Sequence, residues 1–138
     1  MVCDVFIPLR ELPRFWDWYE QDFDLYPLWI EPDRVKEVYP WLAGEFGRGL
    51  EEAMSDDLII DCAVYGRPNR ERGKDYSRLL QDKTHELHGI KTLISRNHYD
   101  TPDDFWHVYN KKNIEAAKER ADPRGVFPGL YETFGLVE

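Results

Sequence analysis

The sequence predicts an α+β chain of the ferredoxin-like kind. A four-stranded antiparallel sheet carries helices on one face, with extra helices toward the C-terminal end. Three observations predict it. The apolar runs Val2 to Leu9 and Leu58 to Tyr65 have the length and alternation of strands. Leu12 to Phe23 and Asp75 to His88 repeat bulky residues at three- and four-residue spacing, as amphipathic helices do. The order strand, helix, strand, strand, helix, strand is the split β-α-β unit, in which both helices cover one side of the sheet.

In the first strand Cys3, Val5 and Ile7 point one way and Val2, Asp4 and Phe6 the other, and Pro8 ends the regular run. In the first helix Leu12, Phe15, Trp16, Tyr19 and Phe23 form the stripe, and its aromatic character reads as core packing. Leu25 to Ile30 reads as an edge strand, because Pro27 and Pro32 bracket it and proline cannot donate to a ladder. Lys36 to Asp57 is the least regular part, with Gly44, Gly47 and Gly49 followed by a short helical pattern at Leu50 to Met54. No lysine-serine or lysine-threonine pair follows these glycines, so they do not make a phosphate loop.

Gly66 and Pro68 stop the strand Leu58 to Tyr65. Tyr76, Leu79, Leu80 and Leu87 stripe the second long helix, and Gly89 is placed to end it. Ile90 to Asn97 follows as a strand. Thr101 can cap the next helix, with Pro102 at its first position and Asp103 and Asp104 complementing its dipole. A last helix is expected from Asn113 to Arg120, then a break at Asp122-Pro123 and an irregular tail from Gly125 to Glu138.

With 138 residues, 42% hydrophobic and 14% aromatic, the chain fits one domain with a real core. Its formal net charge of −9 lacks the basic stripe that nucleic acid requires. The short cluster Arg67, Arg70, Arg72 and Lys74 is interrupted by Glu71 and reads as a solvated turn. Cys3 and Cys62 form no CxxC pair and sit in apolar runs, which points to buried free thiols and away from zinc. No apolar run reaches the ~20 residues that span a bilayer. The N-terminus does not read as a signal peptide, so a reducing, cytosolic compartment is expected.

If helices cover one sheet face, the other is open, and it can carry Phe6, Trp29 and Tyr65. Asp61 is a carboxylate inside an otherwise apolar strand. Burial would raise its pKa and suit acid–base work, while a solvent-facing or hydrogen-bonded role is the plainer alternative. Trp29 and Tyr65 read either as an apolar wall for a ligand or as ordinary packing. His85, His88 and His107 fall on helices without acidic partners at metal spacing and read as surface residues; no metal site is expected.

Five segments together resemble the C-terminal substrate, or cap, domain of FAD-linked oxidases of the p-cresol methylhydroxylase and vanillyl-alcohol oxidase type, in particular the Δ24-sterol reductase (Diminuto-like) branch. They are Asp4-Val5-Phe6-Ile7-Pro8-Leu9; Tyr26-Pro27-Leu28-Trp29-Ile30-Glu31-Pro32; Ile60-Asp61-Cys62-Ala63-Val64-Tyr65-Gly66-Arg67-Pro68; Tyr99 with Phe105-Trp106 and Tyr109; and Asp122-Pro123 with Val126-Phe127-Pro128, Leu130 and Tyr131. Their order and spacing agree over nearly the whole chain. One departure is Ile94, where that branch often carries a tyrosine after Leu93.

The resemblance implies that FAD is bound mainly by an N-terminal domain that this chain lacks, in the same protein or on a companion chain. The sheet of the present chain would lie over the flavin ring and shape a pocket for a hydrophobic substrate, sterol-like ones included. It places the pocket near the end of the last strand, where His98 could protonate a substrate carbon or stabilise a reduced flavin's charge and Tyr99 could donate a hydrogen bond; both otherwise read as surface residues at a strand end, and with Asp61 they are the catalytic candidates. Trp29, Tyr65 and Asn97 become the residues facing flavin or substrate. Nothing in the chain itself supplies a redox group, so the isolated chain is expected to be inert. The competing expectation is a free-standing ferredoxin-like module that binds a small molecule or dimerises through its open face.

Overall fold

The computed structural model describes residues 2–54, 57–66, 68 and 70–135. It shows the expected sheet. Strands β1 (Cys3–Pro8), β2 (Trp29–Arg34), β3 (Leu58–Val64) and β4 (Ile90–Lys91) pair antiparallel in the order β2-β3-β1-β4. Helices α1 (Leu12–Trp18) and α3 (Tyr76–Glu86) lie on one face. Helix α2 (Gly44–Ala53) sits between β2 and β3 in the chain, and α4 (Pro102–Val108), α5 (Lys111–Ala121) and α6 (Leu130–Phe134) follow β4.

Alternation along the two central strands creates the core. Cys3, Val5 and Ile7 of β1 and Ile60, Cys62 and Val64 of β3 all point to the helices and are buried. Against them pack Phe15, Tyr19 and Phe23 from the first helical stretch and Tyr76 and Leu80 from α3. The aromatic stripe is a continuous stack. Phe15 and Tyr19 lie 5.6 Å apart, Tyr19 and Phe23 5.0 Å, and Phe23 meets Tyr76 edge-on at 5.5 Å. A π-turn, Tyr19–Phe23, carries the helix to its last aromatic. Both cysteines are buried and free.

Several elements differ from expectation. β2 starts at Trp29, not Leu25, and runs through Pro32 to Arg34. As an edge strand it tolerates a proline whose nitrogen faces away from β3. β4 is only two residues long and does not reach Asn97. Its Lys91 points into the helix side and is fully buried, so the chain beyond it folds back to supply acceptors. Lys91 Nζ donates to the Thr92 carbonyl at 3.1 Å and to Asn97 Oδ1 at 2.7 Å. α2 is a full helix where an irregular excursion was expected. Its glycines lower intrinsic helix propensity, but a Cβ at Gly49 would lie 2.8 Å from Nδ1 of His88.

The helix ends follow the capping rules. Thr101 and Asp104 form a reciprocal capping box on α4, and Asp75 and Asn110 cap α3 and α5. At the end of α3 it is His88 that takes the left-handed conformation, at φ 57°. Gly89 serves a different need: a Cβ there would approach the Phe6 carbonyl to 2.5 Å and push β4 off β1. Of the basic turn, Arg67 lies outside the described residues; Arg70 pairs with Asp24 and Lys74 with Glu71, both on the surface. After α5 the Asp122 carboxylate accepts the backbone N–H groups of Val126 and Phe127 at 2.9 Å each, and Lys118 Nζ at 2.6 Å. The expected irregular tail contains α6; its last three residues lie outside the described part. No helix among the described residues is long and apolar enough to cross a membrane.

The close approach at Gly89 has a measurable consequence. Gly89→Ala is expected to lower stability in urea titration by about 1–3 kcal/mol, the usual cost of forced overpacking. Gly44→Ala, whose new methyl meets nothing nearer than 3.6 Å, is expected to stay within about 0.5 kcal/mol of the parent.

Candidate functional site

The sheet face opposite α1 and α3 is the candidate site, and strand register dictates its membership. In one row Trp29 of β2 lies opposite Ala63 of β3, and Ala63 opposite Asp4 of β1. In the next, Glu31, Asp61, Phe6 and Ile90 run across all four strands. In the third, Asp33, Ile59 and Pro8 follow. Tyr65, two residues beyond Ala63, extends the same face. Trp29 is 63% exposed and Tyr65 54%, high values for aromatic side chains on a sheet.

The face is therefore more acidic than the aromatic selection Phe6, Trp29 and Tyr65 implied. Asp4, Glu31, Asp33 and Asp61 share it. Burial, followed by the fields of Asp4, Asp33 and Glu31, pushes the Asp61 carboxyl up to about 6. A hydrogen bond to the Asp4 carboxylate, followed by burial, pushes the Tyr65 phenol up to about 12. Asp4 Oδ1 and Asp61 Oδ1 are both shielded from solvent and have no hydrogen-bond partner among the described residues. Trp29 Nε1 donates to Glu31 Oε2 at 3.4 Å. Between the two large aromatics, Pro27, Leu28, Trp29, Ala63 and Tyr65 line a shallow socket of about 200 Å³. Chemically, the arrangement offers a carboxyl group that exchanges a proton near neutral pH beside an apolar shelf.

Asp61, Trp29 and Tyr65 thus come together on one face, while Asn97, His98 and Tyr99 do not join them. These three follow the shortened β4 and lie on the helix side of the sheet. Asn97 holds Lys91. His98 is 5% exposed; its backbone N–H donates to Gln81 Oε1 at 3.0 Å and its carbonyl accepts from Gln81 Nε2 at 2.7 Å. Its imidazole reaches Ser77 Oγ at 3.1 Å. Burial pulls the His98 pKa down against the opposing field of Asp75. Tyr99 packs edge-on against Phe105 at 5.0 Å in a second apolar cluster, and burial raises its pKa.

A separate cleft of about 670 Å³ opens between α2, α3 and α4, and all four histidines of the chain line it. His88 and His107 are exposed, but His85 is half-buried, contrary to its expected place on the surface. Phe46 meets its ring edge-on at 5.6 Å, and Nε2 is shielded without a partner among the described residues. Burial, then the fields of Lys91 and His107, pull it down to about 4, so it is neutral at physiological pH. Among the described residues no three His, Cys, Asp or Glu side chains are placed to hold a metal.

Sequence reasoning set Asp4 on the side of Phe6 without counting it in the site, and it missed Glu31 and Asp33 as members of the open face. Asp4 was readable from its alternation with Phe6. Glu31 and Asp33 were hidden because β2 was framed to end at Ile30.

No protein-family model and no solved structure matches the chain. Three curated proteins show what it is similar to. The Δ24-sterol reductase of Homo sapiens is 23% identical over 134 residues, which cover 96% of this chain and 24% of that protein. Those of Arabidopsis thaliana and Pisum sativum are 20% and 19% identical, each over 95% of this chain and 25% of their own length. The chain thus spans about a quarter of the length of the relatives it matches.

The crowded carboxylates have a pH signature. Because Asp61 titrates higher in the folded chain than in the unfolded one, the folded state binds the extra proton between about pH 4 and 6. Stability is therefore lost as pH rises through that window. Asp61→Asn is expected to unfold at a higher temperature than the parent at pH 7.5, and at the same temperature near pH 3.5, in paired thermal melts.

Proposed function

We propose that this chain is the flavin-covering, substrate-pocket part of an FAD-dependent oxidoreductase, with its open sheet face laid over the isoalloxazine ring. The observation that carries the reading is that face. It exposes Trp29 and Tyr65 with no roof among the described residues, around a carboxyl group poised to exchange a proton. Similarity along nearly the whole chain to a quarter of each Δ24-sterol reductase supports the same reading, since it leaves most of such a protein to supply the nucleotide site.

The residues present suit a flat, hydrogen-bonding ring. Trp29, Ala63, Phe6 and Ile90 offer apolar area. The carboxylates of Asp4, Glu31, Asp33 and Asp61 give the same face acceptor groups for a ring N–H. Bound FAD would supply the hydride or electron chemistry. The chain would do the rest. Trp29 and Tyr65 would exclude water from the reacting face and bind a hydrophobic substrate, a sterol among the candidates. Asp61 would hold or accept a proton at a carboxyl oxygen. A role for His98 or Tyr99 would have to be exercised from the helix-side cleft, which Asn97 does not line.

The FAD-binding domain is assigned to the same protein or a companion chain, in a cytosolic setting that keeps Cys3 and Cys62 reduced. A homodimer through the open face is the less favoured reading. It would set the four carboxylates of one copy against four of another.

Titration of FAD into the isolated chain, followed by flavin fluorescence, is expected to show no sub-micromolar complex. Hydrogen exchange after assembly with the FAD-binding domain encoded upstream or nearby is expected to protect β2 and β3. Trp29→Ala with Tyr65→Ala is expected to weaken that assembly about tenfold or more, as loss of buried aromatic anchors does. Protection confined to α1 and α3, or tight binding of FAD by the chain alone, would overturn the assignment.

A further inference from the structure

We propose that the socket between Trp29 and Tyr65 receives the guanidinium of an arginine presented by the protein surface that covers the open face. The inference rests on the reading that another protein surface covers this face, and adds the chemistry of the contact.

Four observations point to a cation here. Ala63 is the small residue at the centre of the patch, with Trp29 opposite on one strand and Asp4 on the other. It leaves room about the size of one side chain. The walls are aromatic, and a guanidinium stacks on Trp and Tyr faces. Asp4 and Asp61 stand diagonally across the β1–β3 pair, a separation of about 7–8 Å between such neighbours. Neither lines the socket, and one oxygen of each is shielded by the chain itself, so they act on an occupant as neighbouring negative charges. The fields that act on Asp61 come from Asp4, Asp33 and Glu31, all carboxylates.

Arginine fits better than lysine. Its planar guanidinium stacks on Trp and Tyr faces and is more weakly hydrated than an ammonium, which is a compact, strongly hydrated point. A second copy of this chain does not fit, because the same face would bring like charge. Desolvating four carboxylates under an uncharged roof would leave buried, unpaired charge, which is costly. A roof that carries arginine turns that cost into recognition.

The test uses the intact chain and three probes: arginine amide, norleucine amide and lumiflavin. Nuclear magnetic resonance follows the Trp29 indole and the Ala63 and Tyr65 amides. Arginine amide is expected to shift these signals in a saturable way. Binding is expected to weaken about tenfold in Asp61→Asn or Asp4→Asn, and about as much in 0.5 M NaCl. Ala63→Leu is expected to abolish it; the two asparagine variants carry the test should that variant fold poorly. Equal binding of norleucine amide would overturn the proposal, leaving only an apolar socket, and so would absence of any shift with arginine amide. Lumiflavin shifts without arginine shifts would remove the cation and keep the flavin-facing reading. Arginine binding in the socket, with protection on assembly confined to another face, would do the reverse.

Discussion

The antiparallel pairing of β1 with β3 decides almost everything else. Once Val5 stands opposite Cys62 and Phe6 opposite Asp61, every neighbouring side chain is committed to one face or the other. A slip of β1 by one residue would place Asp4 beneath the helices and expose Cys3, Val5 and Ile7. Such a slip would strand a carboxylate in an apolar layer and forfeit about 1.5–3 kcal/mol for each large apolar side chain left in water. The aromatic stack from Phe15 to Tyr76 completes that layer and holds both helices to the same side.

The other face shows the opposite tendency. Its carboxylates repel one another, its aromatics stay in water, and two shielded oxygens go without partners among the described residues. None of this favours the lone chain. Features that cost stability without packing benefit are characteristic of binding surfaces, where a partner settles the imbalance. On the helix side the buried cation Lys91 has two oxygen acceptors, although the His85 Nε2 there also lacks a partner among the described residues.

How legible this was in the sequence varied with the length and purity of each pattern. β1 and β3 were readable because their alternation is sustained and their ends are marked by Pro8 and Gly66. The first and second long helices were readable from their aromatic and leucine stripes. β2 was misframed because Pro27 and Pro32 looked like brackets, whereas on an edge strand Pro32 sits inside the ladder. β4 looked long because Ile90 to Asn97 is extended-looking, but sequence alone does not reveal that Lys91 turns inward and recruits Asn97. That miss displaced Asn97, His98 and Tyr99 from the open face. Helix α2 was obscured by glycines whose reason, the packing of His88 on Gly49, exists only in three dimensions. Half of the candidate site followed from period-two spacing on one strand; the acidic remainder depended on register between strands.

The strand order carries a consequence for biosynthesis. β1 is made first, yet it lies inside the sheet between β3 and β4. Neither neighbour exists until much of the chain has left the ribosome, and Val5 must wait for Lys91. During that interval the first strand has two open edges and an apolar face, the hallmarks of an aggregation-prone nascent segment. Helix α1 follows β1 at once and carries Phe15, Tyr19 and Phe23, so it can shelter that face while the ladder partners are still being synthesised. The aromatic stripe that anchors the core thus stands next in the chain to the strand it covers, ahead of both ladder partners.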